Sequence, residues 1–309
     1  MTSIQPQDTE TLQLLQETIA QLAARKSSHS PRVITPANVY QVGRRENLPI
    51  LTRLMDHLLL PGSRVEGLEH LDTCLALLDQ GHRLIFLLEH KGNFDVPAFY
   101  TLLGREDPKY QRILDRLIYI AGRKLNEESD VVRMFTEVFS RIVIVPRREL
   151  VRPQPEGANA ARRVQEMDET TAVRINRAAF RHMFRLIHEG YIIGLFPLGG
   201  RPKKGLDNEP VKETTTYLKH FDEAVFIGMA GNILPVGDGP MEEERPVRDV
   251  VVFRVDAPVS CSRFLRESRI QYEAARTEGR IPPEMDYEQF TVQRVLDRLA
   301  DLSRESPAP

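Results

Sequence analysis

His90 and Asp95 are the residues of this chain whose types and spacing come nearest to a proton-transfer pair. They lie in Leu84-Ile-Phe-Leu-Leu-Glu-His-Lys-Gly-Asn-Phe-Asp-Val-Pro-Ala-Phe, where a short apolar run stops just before a histidine and a helix is expected to begin five residues on. A histidine serves as a general base when a carboxylate on its far ring nitrogen fixes the tautomer and supports the imidazolium. A turn between strand and helix can bring the two side chains together. The same residues have a blander reading: Asp is a preferred N-cap and Pro97 falls inside the first turn, so Asp95 could do no more than cap the helix. No other of the eight histidines has Asp five residues on, and both readings stay open at this stage.

A second segment with chemical content is Phe196-Pro-Leu-Gly-Gly-Arg-Pro-Lys-Lys-Gly. Adjacent Gly199 and Gly200 let backbone amides approach an anion, and Arg201, Lys203 and Lys204 supply the cations that a phosphate needs. It is not a nucleotide P-loop, since Gly-x-x-x-x-Gly-Lys-[Ser/Thr] is absent, and no Gly-x-Gly-x-x-Gly marks a dinucleotide site. Two further basic pairs, Arg123-Lys124 and Arg147-Arg148, also follow apolar runs. If these runs are strands ending at one edge of a sheet, their cations meet beside His90. Singly, each is better read as a solvated loop than as a ligand site, since surface Arg and Lys are abundant.

The elements that must position these residues are legible as patterns. Leu12, Leu15, Ile19 and Leu22 make one apolar stripe on a helix over 9–26, and a second helical pattern runs over 47–60 until Pro61-Gly62. This predicts an N-terminal helical module over residues 1–65, packed on an α/β domain over residues 66–309. From residue 66 short β-rich runs at 84–88, 117–121, 141–145, 191–196, 224–229 and 250–255 alternate with amphipathic stretches, the clearest at 171–189. The expected fold is α/β, with a mixed, largely parallel sheet flanked by helices. Ligands of such sheets collect at the carboxyl ends of strands, where His90 falls. Residues 146–168, rich in Pro, Gly, Arg and Ala, read as an extended loop with one short helix, and residues 303–309 as a frayed tail.

With 309 residues, 41% hydrophobic and 28% charged, the chain can bury a full core, and a net charge of −2 gives no global field that would favour nucleic acid. Cys74 and Cys261 match no metal-ligand spacing and no disulfide framework, so both are expected to be buried thiols in a reducing, cytoplasmic compartment. No apolar run approaches the ~18 residues that would span a bilayer, so a soluble or peripheral protein is expected. The N-terminus lacks the features of a secretory signal, which points to a mature chain beginning at Met1.

The order and spacing of these segments resemble the glycerolipid acyltransferase superfamily, in particular the soluble glycerol-3-phosphate acyltransferases of the plastid type. The resemblance covers roughly residues 66–255. His90-Lys-Gly-Asn-Phe-Asp95 is similar to the family's His-x-x-x-x-Asp motif, and Tyr119-Ile-Ala-Gly-Arg123 to its segment ending in Ala-Gly-Asp-Arg. Ile142-Val-Ile-Val-Pro-Arg-Arg148 resembles its strand leading into a basic pair, and Pro197-Leu-Gly-Gly-Arg201 its Pro-Ser-Gly-Gly-Arg. Ile233-Leu-Pro-Val236 falls where the family often has a proline-containing strand. There are departures. Leu198 replaces the family's Ser or Glu, Glu149 stands near a family His, and Lys203 takes the place of a second Arg, keeping charge but losing bidentate geometry.

The resemblance implies transfer of a fatty acyl group from acyl-carrier protein or acyl-CoA to the sn-1 hydroxyl of glycerol 3-phosphate, a step of phospholipid biosynthesis. His90 and Asp95 would be catalytic. Arg147, Arg148, Arg201 and Lys203 would bind the substrate phosphate, with Arg123, Lys204, Gly199 and Gly200 in support. No metal and no cofactor is expected beyond the thioester co-substrate, and the expected location is cytoplasmic or peripheral at the inner face of the membrane. The acidic surface of a carrier protein would suit Arg147, Arg148, Arg152, Arg162 and Arg163. Two alternatives stand beside this: lysophosphatidate as the acceptor, or a lipid- or acyl-carrier-binding module without turnover, of which Leu198 and Glu149 would be the marks.

Overall fold

Every residue of the strand Leu84–Leu88 is buried, the pattern of a central strand covered by helices on both faces. In the computed structural model, which describes residues 9–25, 31–127, 129–146, 149, 167–200, 210–237 and 244–304, it is the third of nine strands in one sheet. These are β1 (Tyr40–Gln41), β2 (Arg64–Glu66), β3 (Leu84–Leu88), β4 (Leu117–Gly122), β5 (Arg141–Ile144), β6 (Ile192–Leu195), β7 (Glu223–Ala230), β8 (Val252–Val255) and β9 (Val259–Ser260). The helices are α1 (Thr9–Ala24), α2 (Leu48–Leu58), α3 (Leu68–Asp79), α4 (Asp95–Leu103), α5 (Gln111–Arg116), α6 (Lys124–Glu127), α7 (Asp130–Thr136), α8 (Glu169–His188), α9 (Thr214–Leu218), α10 (Cys261–Thr277) and α11 (Tyr287–Ser303).

Strand order is β1-β5-β4-β6-β3-β7-β8-β2, with β9 beside β7. β5, β4, β6, β3 and β7 run parallel, so their carboxyl ends share one edge. β1 is antiparallel to β5, β8 and β9 are antiparallel to β7, and β2 lies parallel to β8. The sheet is therefore mixed and largely parallel, flanked by helices and by the N-terminal pair α1–α2.

The alternation of side chains divides the core in two. Leu84, Phe86 and Leu88 pack with Leu22 of α1, with Leu51, Leu54 and Leu58 of α2, and with Phe99 of α4. Ile85 and Leu87 point the other way, toward Ile175 and Met183 of α8, Phe264 of α10 and Val295 of α11. Each such side chain contributes roughly 1.5–3 kcal/mol by leaving water. The first 65 residues hold α1 and α2, share this core, and also supply β1 and most of β2 to the sheet. Cys74 and Cys261 are both fully buried, and burial pushes both thiols up to about 12.

Element ends follow local chemistry. Asp168 caps α8 by accepting from the Thr171 amide at 2.9 Å, and α11 opens with a reciprocal Asp286–Gln289 capping box. β5 stops at Ile144, because the Asn176 side chain of α8 takes both the amide and the carbonyl of Val145. Residues 233–236 form no strand; they bend, and the Ile233 carbonyl accepts from the Val247 amide at 2.9 Å.

At the edge opposite His90, Arg83 at the foot of β3 grips Asp222 with Nε at 2.9 Å, Nη2 at 2.6 Å and its backbone amide at 2.8 Å. The guanidinium beside it holds the Asp222 carboxyl down at about 2 against the partial burial that opposes it. A carboxylate in an unfolded chain titrates near 3.9. The folded value is the lower one, so the stabilisation is present above about pH 4 and is lost as the pH falls toward about 2. Asp222→Asn is therefore expected to flatten the decline of unfolding free energy over this acid range in urea titrations. An unchanged slope would show that the pair carries no pH-linked stability.

Candidate active site

β3 delivers its chain to the carboxyl edge of the sheet, and the turn after it is built around one carboxylate. Asp95 is the first residue of α4 and is 3% exposed. Its Oδ2 accepts from the Lys91 amide at 2.7 Å, and the Gly92 amide lies 2.9 Å from both oxygens. The same Oδ2 lies 2.9 Å from Nδ1 of His90. The N-cap of α4 is Phe94, and among the described residues the Asp95 side chain bonds only to His90, Lys91 and Gly92. Its oxygens point back into the turn, which decides between the two readings of the sequence in favour of a histidine–carboxylate pair.

The geometry also sets the tautomer. A carboxylate only accepts hydrogen bonds, so the neutral imidazole must carry its proton on Nδ1 and present the lone pair of Nε2. Among the described residues no group hydrogen-bonds Nε2. The ring is partly open to solvent, with 18% of its side chain exposed.

The turn is held from outside as well. A Cβ on Gly92 would lie 2.7 Å from the Leu234 carbonyl oxygen and 2.9 Å from Oδ1 of Asn232, so only glycine permits this approach. Asn232 follows β7; its Nδ2 donates to the Lys91 carbonyl at 3.3 Å, and its own amide donates to Asp249 at 2.8 Å. Glu89, just before His90, accepts from the Met229 amide at 3.1 Å and from the Ser303 hydroxyl at the end of α11. The Lys91 ammonium stands 3.8 Å from Glu89.

Gly199 and Gly200 lie just past the end of β6, the neighbour of β3. Gly199 adopts φ +65° and donates to the Phe196 carbonyl at 2.9 Å, closing a turn that begins at the buried Pro197 and carries Leu198. Arg201, Lys203 and Lys204, like Arg147 and Arg148, lie outside the described residues, as does most of the predicted loop of residues 146–168.

Arg123 is described, and its role is visible. The side chain is buried, its Nη1 donates to Glu127, and its Nε lies 2.8 Å from Oε2 of the buried Glu149. Glu149 in turn accepts the Met167 amide on its carbonyl at 3.4 Å and donates its own amide to Pro146 at 2.9 Å. Arg123 and Glu149 thus hold together the segments that follow β4 and β5, at the same edge as His90.

Three residues of this neighbourhood carried no chemical signal in the sequence. The Phe196 ring stacks on the His90 imidazole, Tyr119 stacks on Phe196, and Asn232 holds the turn between His90 and Asp95. An aromatic residue in or just after an apolar run reads as core, and nothing local distinguishes these from their neighbours. Among the described residues no cluster of three or more His, Cys, Asp or Glu side chains could hold a metal, and no helix is long and apolar enough to cross a membrane.

Removing Arg123 as Ala leaves Glu149 buried without that cation. The expected loss is about 3–5 kcal/mol of unfolding free energy, measured by denaturant titration. A change below about 1 kcal/mol, the range of exposed ion pairs, would contradict the structural role. Comparison of the chain with protein-family models and with curated protein sequences gives no match.

Proposed function

We propose that this protein is an acyltransferase that moves a fatty acyl group from a thioester, acyl-carrier protein or acyl-CoA, to the sn-1 hydroxyl of glycerol 3-phosphate. The observation that carries this reading is the His90 Nδ1–Asp95 hydrogen bond at the carboxyl edge of the parallel strands, which leaves Nε2 as the ring atom that can take a proton. It is supported by the Gly199–Gly200 turn on the adjacent strand and by the order of motifs along the chain.

In this mechanism the hydroxyl of the acceptor donates its proton to Nε2 of His90 as its oxygen attacks the thioester carbonyl. Asp95 holds the ring and stabilises the imidazolium. The tetrahedral intermediate then collapses, the carbon–sulfur bond breaks, and His90 returns the proton to the departing thiol. No covalent acyl-enzyme is invoked, and the two cysteines, both buried and with thiols raised to about 12, make poor nucleophiles. The Lys91 and Gly92 amides are committed to Asp95. Those two amides are therefore not the donors for the oxyanion.

The acceptor phosphate is assigned to Arg201 and Lys203, which follow the Gly-Gly turn in sequence, and to Arg147 and Arg148. Holding the phosphate turns remote binding energy into alignment of the reacting hydroxyl. Arg123, whose charge faces Glu127 and Glu149, is assigned to supporting the site's framework.

The test is thiol release from palmitoyl-CoA and palmitoyl-acyl carrier protein, with glycerol 3-phosphate or lysophosphatidate as acceptor. Release that needs glycerol 3-phosphate, with kcat falling about 10²- to 10⁴-fold in His90→Ala, is the expected result. Full activity in that variant would end the mechanism, and release that needs lysophosphatidate would reassign the acceptor. Silence of the folded protein with every pair would leave a binding module. Arg201→Ala is expected to raise KM for glycerol 3-phosphate at least tenfold, of the order of one lost charged hydrogen bond. An unchanged kcat/KM would remove Arg201 from the site.

A further inference from the structure

Asp95 fixes one atom of the His90 ring, and a single hydrogen bond acts as a hinge: the imidazole can still rock about the Nδ1–Oδ2 contact and swing Nε2 away from a bound hydroxyl. A second contact, on the face of the ring, is needed to set its plane. The described structure has one. The Phe196 ring lies against the imidazole with centroids 4.3 Å apart and planes 27° from parallel.

Phe196 is itself held by a second ring. Tyr119 of β4 stacks with it at 5.9 Å between centroids, with the planes only 9° apart. Tyr119 is 5% exposed and sits opposite Gly194 in the β4–β6 register. A Cβ at Gly194 would lie 2.9 Å from the Tyr119 ring, so the missing side chain is what lets that ring lie against β6. Among the described residues the buried Tyr119 hydroxyl has no hydrogen-bond partner, and burial pushes its ionisation well above the usual phenol range. The phenol therefore stays protonated, and its ring serves as a wall.

Three adjacent strands thus line up His90, Phe196 and Tyr119 as one stack. Resting on the acyl-transfer reading above, we propose that Phe196 is a positioning residue for His90. Its ring sets the imidazole plane, and its electron-rich face favours the imidazolium that forms when His90 takes the hydroxyl proton. Phe196 touches neither proton nor phosphate in this role; it acts through the histidine.

The test combines proton NMR of the full chain with steady-state thiol release for wild type, Phe196→Leu, Phe196→Met and Phe196→Tyr, with His90→Gln used only to assign the His90 ring resonances. A stacked aromatic ring shifts those protons upfield. In Phe196→Leu and Phe196→Met the shift is expected to vanish while kcat falls about tenfold and KM stays within about twofold, the signature of misalignment in place of lost binding. Phe196→Tyr, which keeps the ring face, is expected to restore both. The two aliphatic variants pack differently, so a folding failure of one leaves the other to report.

The proposal is overturned if the resonances do not move in the aliphatic variants. It is equally overturned if they move while kcat remains at the wild-type value, or if KM alone rises. A wild type that releases no thiol with any acceptor would refute the acyl-transfer reading. The resonance positions would then still decide whether Phe196 orients His90.

Discussion

Burying a carboxylate costs several kcal/mol unless its lone pairs are taken up by well-placed donors, and at Asp95 that requirement shapes the whole site. Two backbone amides and one imidazole nitrogen satisfy it. To supply the amides, the chain must fold the Lys91–Gly92 peptide back over the start of α4. To let the peptide approach, position 92 must lack a side chain, because Leu234 and Asn232 press on it from the β7 side. The same contacts that satisfy the carboxylate therefore place His90, fix its tautomer and leave Nε2 as the ring atom that can take a proton. The geometry of the histidine–carboxylate pair and the local stability are here one set of hydrogen bonds.

The sheet carries this turn to where it is useful. Because β5, β4, β6, β3 and β7 run parallel, the segments after them, Glu149, Arg123, Phe196, His90 and Asn232, come to one edge. Around the remaining sheet ends the same chain uses its charges for structure. Arg83 and Asp222 pair at the foot of β3. Arg141, almost completely buried at the start of β5, donates to the Thr136 carbonyl at 2.6 Å and has its ionisation drawn down to about 10 by burial. Arg133 lies between Asp130 at 2.8 Å and Glu137 at 3.5 Å. Arginine in this protein thus has structural uses at strand ends, and the number of basic residues there does not by itself mark a ligand site.

Glu149 illustrates this. In sequence it is a departure from the pattern of the acyltransferases that the chain resembles, at a place where a phosphate contact would be expected. In the structure it is a buried partner of Arg123, and its backbone bonds to both Pro146 and Met167. Glu149 therefore has a structural role, forming with Arg123 a cross-brace at the edge of the candidate site.

The strands β3 to β8 and the helices α1, α2 and α8 were legible in the sequence to within a few residues, because each strand is a short, nearly continuous apolar run and each helix an apolar stripe of period about 3.6, and both patterns depend only on neighbours in the chain. β1, β2 and β9 were not. They are two or three residues long, with no run to read, and they exist because β5, β8 and β7 offer them open edges. The sequence by itself also determined that His90 and Asp95 could meet, since five residues of turn suffice. Whether Asp95 caps a helix or grips an imidazole, whether Arg123 faces a ligand or a carboxylate, and which aromatic ring lies on His90 were decided only in three dimensions. Each depends on atoms brought from strands dozens of residues away, and spacing along one segment carries no information about them.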